Sequence, residues 1–425
     1  MLELQVLHQQ KESIIERLGK RNMPVDPALL INEVIQLDLE RKDIQTSLDA
    51  VLARVNQSSK EIGMLFQMKR NIEAENMKNQ VSSWKQEIRE LEERSRDVKQ
   101  KLEEALLGIP NAPHPLVPGG KSPDENLVYK NWPGSLPQPE PGRLPHWEIA
   151  NEKNIFDLKL GVKVTGAGFP LFRGKGARLQ RALIQFFLDE AVAAGYEEVV
   201  PPLLVNPETA RGTGQLPDKE GQMYFINEDN LYLIPTAEVP VTNIYRDTMI
   251  NPSDFPIKLT AYTPCFRREA GSYGADVKGL NRVHQFDKVE IVQIERPEKS
   301  YERLDEMIAH VEQLLEKLEL PYRILRLCGG DMGFASAMTY DFEVYSAVQK
   351  RWLEVSSVSN FETFQTNRMK IRFKNEKGKS VLAHTLNGSA LALARIIAAI
   401  LENHQTSEGI IIPEVLRDYT GFSVI

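Results

Sequence analysis

The chain has 425 residues, of which 42% are hydrophobic and 26% charged, and a formal net charge of −7. That is the composition of an ordinary globular protein long enough for two domains, and it excludes a globally basic nucleic-acid binder, so any phosphate contact must rest on local basic patches. Cys265 and Cys328 are the only cysteines, too few for a disulfide framework and outside any Cys/His cluster of zinc-ligand spacing, which points to a reducing compartment and no structural zinc.

The first residues, Met1-Leu2-Glu3-Leu4 with Glu12 and Glu16 following, lack the apolar core of a signal peptide and the acid-poor character of a transit peptide. No apolar run reaches membrane-spanning length, so a cytoplasmic protein with no membrane partner is expected. From Leu30 the apolar positions step by four and three through Val34, Leu37, Ile44, Leu48, Val51 and Val55, with Arg41 the one break. A second series runs through Met77, Val81, Trp84, Ile88, Leu91, Val98, Leu102 and Ala105, broken only by Ser95. This 3.5-residue period is that of a coiled coil. Turn chemistry over Asn56 to Gly63 predicts an antiparallel hairpin. Helices of about 35 residues extend about 50 Å, further than a globular core needs. Around the expected tip Arg54, Lys60, Lys69 and Arg70 outnumber Glu61, which suits an arm that reaches a nucleic-acid backbone; on periodicity alone a dimerisation coiled coil is an equal reading.

After Gly108 prolines crowd the chain at 110, 113, 115 and 118, and again from Pro133 to Pro145. Proline stops helices and stiffens connectors. The expected division is therefore a helical domain over 1–108, a connector over 109–145 and a second domain over 146–425, opening near His146-Trp147-Glu148. A helix over Gly176 to Ala194 and a strand through Gly195 to Leu203 follow. Phe266 to Glu290 then reads as strand, long glycine-punctuated loop and return strand, the last segment alternating from His284 to Glu290. Arg267 can grip a phosphate bidentately, Phe286 offers an aromatic face and Glu290 a carboxylate. Such a pocket suits a nucleotide plus a small polar molecule, although the same letters also fit a hairpin with surface charges. Trp352 to Ser357 reads as a plain strand; small residues crowd Gly388 to Ala394 and permit close backbone packing, Arg395 is the first charge, and Ile396 to Leu401 reads as a continuous apolar helix.

The Phe266–Glu290 segment resembles motif 2 of the class II aminoacyl-tRNA synthetases, and within them the seryl-tRNA synthetase family. Further marks stand in the family's order: GTGQLP at Gly212 to Pro217, TAE at Thr236 to Glu238, TPCFR at Thr263 to Arg267, EVSS at Glu354 to Ser357 and HTLNGS at His384 to Ser389. The likeness covers essentially the whole chain. It implies an α+β fold: an N-terminal antiparallel two-helix coiled-coil arm, then a class II catalytic domain on a mainly antiparallel β-sheet flanked by helices. It also implies serine activation by ATP, with pyrophosphate released, followed by transfer to the 3′ end of tRNA(Ser), with tRNA(Sec) an open second acceptor. The arm would embrace the tRNA's long variable arm, and the segment ending at Pro202 would form a homodimer interface.

Residue by residue, the resemblance assigns Arg267, Glu354 and Arg395 to catalysis. The serine pocket would comprise Thr236, Ala237, Glu238, Glu290, Thr385, Asn387 and Ser389, with the partners of the amino and hydroxyl groups left open. ATP would be held by Arg267, Arg268, Glu269, Val283, Phe286, Glu354, Val355, Ser356, Ser357 and Arg395, and Mg2+ by Glu354 and Ser357. The chain departs from the family's pattern at Ala275 and Lys278 in the loop, where arginines are usual, and at Ala390 and Ala394, where glycine is common. Relatives that load carrier proteins lack the arm, a non-catalytic paralogue should have lost one of Arg267, Glu290, Glu354 or Arg395, and a plain scaffold would leave these motifs unexplained.

Overall fold

The computed structural model describes residues 1–138, 142–218, 221–269 and 278–425. Ala275 therefore lies outside the described residues. Two compact units are present, one of residues 2–19 and 23–110, the other of Met1, residues 20–22 and residues 111–425.

The first unit is a helical hairpin of α1 (Pro27–Gln67) and α2 (Asn71–Gly108). Asp26 caps α1 by accepting from the Ala28 amide, and Pro27 at the first position needs no hydrogen-bond partner. The predicted seam is the buried one: Val34, Ile44 and Val51 face Val81, Val98 and Leu102. The turn is not where expected. α1 runs on through Asn56 to Gly63, and the chain reverses over Met68, Lys69 and Arg70, with Lys69 in the left-handed region at φ 59°. One interior glycine costs a helix about 1 kcal/mol, too little to end it while Ser58 still packs in the seam.

Periodicity also gave no hint of Asp38, whose carboxylate is 1% exposed and contacts His8 at 2.7 Å, Arg41 at 2.7 Å and Lys42 at 2.6 Å. Burial would raise its pKa, but the hydrogen bonds from Lys42, Arg41 and His8 outweigh that and hold it at about 2. Arg41 breaks the heptad because it serves this buried charge.

The second unit is built on an eight-stranded sheet: β1 (Leu127–Asn131), β2 (Glu197–Glu198), β3 (Ile257–Phe266), β4 (Gln285–Glu295), β5 (Tyr322–Arg326), β6 (Met338–Ser346), β7 (Arg351–Glu362) and β8 (His384–Ala392). Their order is β1-β5-β6-β7-β8-β4-β3-β2, antiparallel throughout except for the parallel β2–β3 pair. Flanking helices include α3 (His146–Lys153), α4 (Gly174–Ala193), α5 (Ser300–Lys317), α6 (Phe364–Met369) and α7 (Leu393–Asn403). The strand expected through Leu203 is only two residues long, because Pro201 and Pro202 lack the N–H that would extend its ladder.

Apolar stripes of α4, α5 and α7 cover one face, where Leu183, Met307 and Ile397 meet Ile291, Val358 and Leu386 in one continuous core. The methyls of Ala390 and Ala394 lie in that core. Because side chains alternate along a strand, the opposite face receives Glu290 beside Ser389, Asn387 beside Ser359, and Ser357 beside Asp341. These buried polar residues of the sheet thus gather on one side.

Candidate active site

The hairpin β3–β4 pairs Phe266 with Gln285, so Arg267 sits just beyond the strand end, its amide donating to the His284 carbonyl at 2.9 Å. Its guanidinium lies 5.3 Å from the centre of the Phe286 ring, and Nε donates to the Pro235 carbonyl at 3.3 Å. Arg268 is exposed over the Tyr224 ring, and Glu269 pairs with Arg282 at 2.8 Å. Lys278 lies 5.9 Å from the Trp147 ring.

Further along the same face of β4 stand Lys288 and Glu290. The Lys288 ammonium contacts Glu290 Oε2 at 2.6 Å and donates to Thr236 Oγ1 at 3.0 Å, while the Thr236 hydroxyl donates to Glu290 Oε2 at 3.1 Å. Glu238 completes a buried group of two carboxylates and one ammonium. Burial, and next the Glu290 charge, push the Glu238 carboxyl up to about 7, although Gln365, Lys288 and Asn387 pull the other way. Gln365 donates to Glu238 Oε1 at 2.6 Å and accepts from the Thr385 hydroxyl at 2.7 Å. With both carboxylates ionised the group carries one net negative charge, enclosed in protein: a fitting receptor for a small ammonium compound that also bears hydrogen-bonding groups.

On β7, Glu354 projects to solvent and its carbonyl accepts from Arg395 Nη1 at 2.6 Å. Arg395, in the first turn of α7, also donates from Nε to the Asn281 carbonyl at 2.9 Å, and its Nη1 lies 3.8 Å from Glu354 Oε2. Asp341 on β6 stands opposite Ser357. Burial, and next the Glu354 charge, raise the Asp341 carboxyl well above the ordinary range, against a hydrogen bond from Ser357. Its Oδ1 is buried without a hydrogen-bond partner among the described residues. Two mutually repelling carboxylates beside a hydroxyl form an all-oxygen donor set suited to a hard divalent cation. No group of three or more His, Cys, Asp or Glu assembles as a metal cage among the described residues.

The sequence-predicted residues are therefore brought to one region, with distinctions. Ala237, Val283 and Val355 turn their side chains into apolar cores, which leaves only their main chain for a ligand. Ser356 donates to the Ser389 carbonyl at 2.6 Å and ties β7 to β8. Lys288, Asp341 and Gln365 escaped the sequence reading. Lys288 was accessible from alternation with Phe286 and Glu290; Asp341 and Gln365 become visible only when strands and helices far apart in sequence are paired.

An antiparallel sheet that places a strand-end arginine, a helix-borne arginine and a carboxylate pocket together is the arrangement of a class II aminoacyl-tRNA synthetase, and residues 224–404 match the family described as the tRNA synthetase class II core domain (G, H, P, S and T). Residues 1–113 match the seryl-tRNA synthetase N-terminal domain. The chain is 48% identical to the serine–tRNA ligase of Salinibacter ruber, over 100% of this chain and 99% of that one. It is 45% identical to that of Methylacidiphilum infernorum, over 99% of each. Its structure is similar to that of seryl-tRNA synthetase from Pyrococcus horikoshii complexed with ATP, with TM-score 0.93, 32% identity and coverage of 100% and 99%. The chain belongs to the seryl-tRNA synthetase family.

Proposed function

We propose that this chain activates L-serine with ATP, releasing pyrophosphate, and passes the seryl group to the 3′ end of tRNA(Ser), with tRNA(Sec) a second candidate acceptor. The observation that carries this reading is the enclosed Glu238–Lys288–Glu290 group, net-negative when both carboxylates are ionised, built against the β3–β4 hairpin that carries Arg267. The ammonium of serine is attracted to it, while the hydroxyl finds partners among Thr385, Asn387 and Ser389. A site built to pair a substrate hydroxyl discriminates strongly against an analogue that lacks it.

Serine's carboxylate attacks the α-phosphorus, and the ribose hydroxyl of tRNA then attacks the activated carbonyl, displacing AMP. No side-chain nucleophile is needed; positioning and charge neutralisation dominate. Arg267 neutralises the α-phosphate, Phe286 supplies aromatic surface for adenine, Arg268 and Glu269 fix the base and the loop, and Arg395 holds the outer phosphates. Glu354 and Ser357, with Asp341 beside them, would hold Mg2+, which would supply positive charge to neutralise the phosphates.

We assign residues 1–108 to tRNA binding and 146–425 to catalysis, with 109–145 a connecting segment that also adds β1 to the catalytic sheet, in a cytoplasmic homodimer joined through the segment around Pro202. Among the described residues no helix is long and apolar enough to cross a membrane. The test is ATP–pyrophosphate exchange with serine, threonine, alanine and glycine, for the native chain and Glu290→Ala. Serine-driven exchange that is lost in the variant is expected; no exchange with any of the four from folded protein would overturn the reading.

A further inference from the structure

The buried pair His146–Glu402 plays no part in the chemistry above, yet both side chains are wholly enclosed. His146 Nε2 accepts the Leu280 amide at 2.8 Å. The ring must therefore carry its proton on Nδ1, which donates to Glu402 Oε1 at 2.6 Å. Hydrogen bonds from His146 and Ser346 hold the Glu402 carboxyl below its ordinary range despite burial, which alone would raise it.

From Glu402 the contacts continue. Gln349 Nε2 donates to both carboxylate oxygens, at 2.9 and 3.0 Å. Its Oε1 accepts from Asn281 Nδ2 at 3.0 Å, and the Asn281 carbonyl accepts from Arg395 Nε. Glu402 and Arg395 both belong to α7, seven residues apart and so on one side of the helix. The hydrogen bonds thus leave α7 at Glu402, cross the β6–β7 turn at Gln349, enter the segment before β4 at Asn281, and return to α7 at Arg395. The backbone of Leu280 and Asn281 is held at both ends of this circuit.

We infer that His146, Glu402 and Gln349 are positioning residues for ATP: they fix the Leu280–Asn281 backbone, which in turn aims the Arg395 guanidinium. This rests on the reading that Arg395 serves the phosphates of ATP. None of the three touches the reacting atoms. A planar guanidinium whose Nε is pinned by a carbonyl loses little freedom when it meets phosphate, and that preorganisation is worth affinity.

The test is calorimetric Kd for ATP in four full-length proteins: native, Gln349→Met, Arg395→Ala and the double variant, with thermal melting and the serine KM in exchange as controls. Gln349 is only half-buried, and methionine keeps its length while removing all three side-chain hydrogen bonds. Gln349→Met is expected to weaken ATP about tenfold, roughly the effect of one lost charged-group hydrogen bond, leaving the serine KM within about twofold. In the Arg395→Ala background the same change should do nothing further, because the residue acts through Arg395. ATP affinity unchanged in folded Gln349→Met, equal loss for serine and ATP, or an undiminished effect without Arg395 would each overturn the inference alone. Unchanged ATP affinity in Arg395→Ala would overturn the parent reading with it.

Discussion

Glu238→Gln isolates one buried charge. In the folded chain the carboxyl titrates at about 7 against an ordinary 4.5, because burial and the neighbouring Glu290 disfavour its ionised form. A carboxyl whose folded pKa is raised contributes stability that is fully present below its unfolded pKa and lost as pH rises through the folded one. The window is therefore pH 4.5 to 7. At 1.36 kcal/mol per unit, the contribution lost across it is on the order of 3 kcal/mol. The amide variant does not ionise, and its oxygen can still accept from Gln365. Native and variant should melt at similar temperatures near pH 4.5, and the variant should gain progressively to pH 8, by about 5 °C or more for a unit of this size. Scanning fluorimetry without serine across that range reads the difference directly. Melting curves that stay parallel from pH 4.5 to 8 would refute the argument that Glu238 is held charged at a cost. The same substitution should sharply lower serine-dependent exchange, because the pocket loses its net negative charge: stability gained is binding lost.

Two further outcomes follow from the packing. Asp38→Asn removes a carboxylate that serves three cationic partners, and should destabilise the helical unit by about 2 kcal/mol at neutral pH. Because that pKa is depressed, the native contribution should fade as pH falls from about 4 toward 2, so helix melting by circular dichroism should converge for the two proteins in acid. Gly279→Ala would set a methyl 2.1 Å from His146 Nε2, at a residue whose φ is +65°, so a loss of more than about 2 kcal/mol in thermal unfolding and a weaker ATP Kd are expected.

Much of this protein was legible one residue at a time. The heptads from Leu30 to Ala105 announced the two long helices, because a buried seam must repeat with the helix. Alternation from His284 to Glu290 announced β4, and the ordered motifs announced Arg267, Glu290, Glu354 and Arg395. Periodicity was a poor guide to where the hairpin turns, since a helix tolerates one glycine and the reversal came instead at Lys69, with no turn-forming residue to mark it. Asp38 was hidden for a related reason: a charge enters a core only when its partners arrive from elsewhere, here partly from His8.

The remaining elements of the site depend on strand pairing across long stretches of chain. Asp341 meets Ser357 only through the β6–β7 register, and Gln365 reaches Glu238 across 127 residues. The buried circuit from His146 to Arg395 joins segments up to 256 residues apart. Local pattern records which face of each element is buried, because that follows from its own repeat; which polar groups meet inside is decided by the sheet order, which no single segment contains.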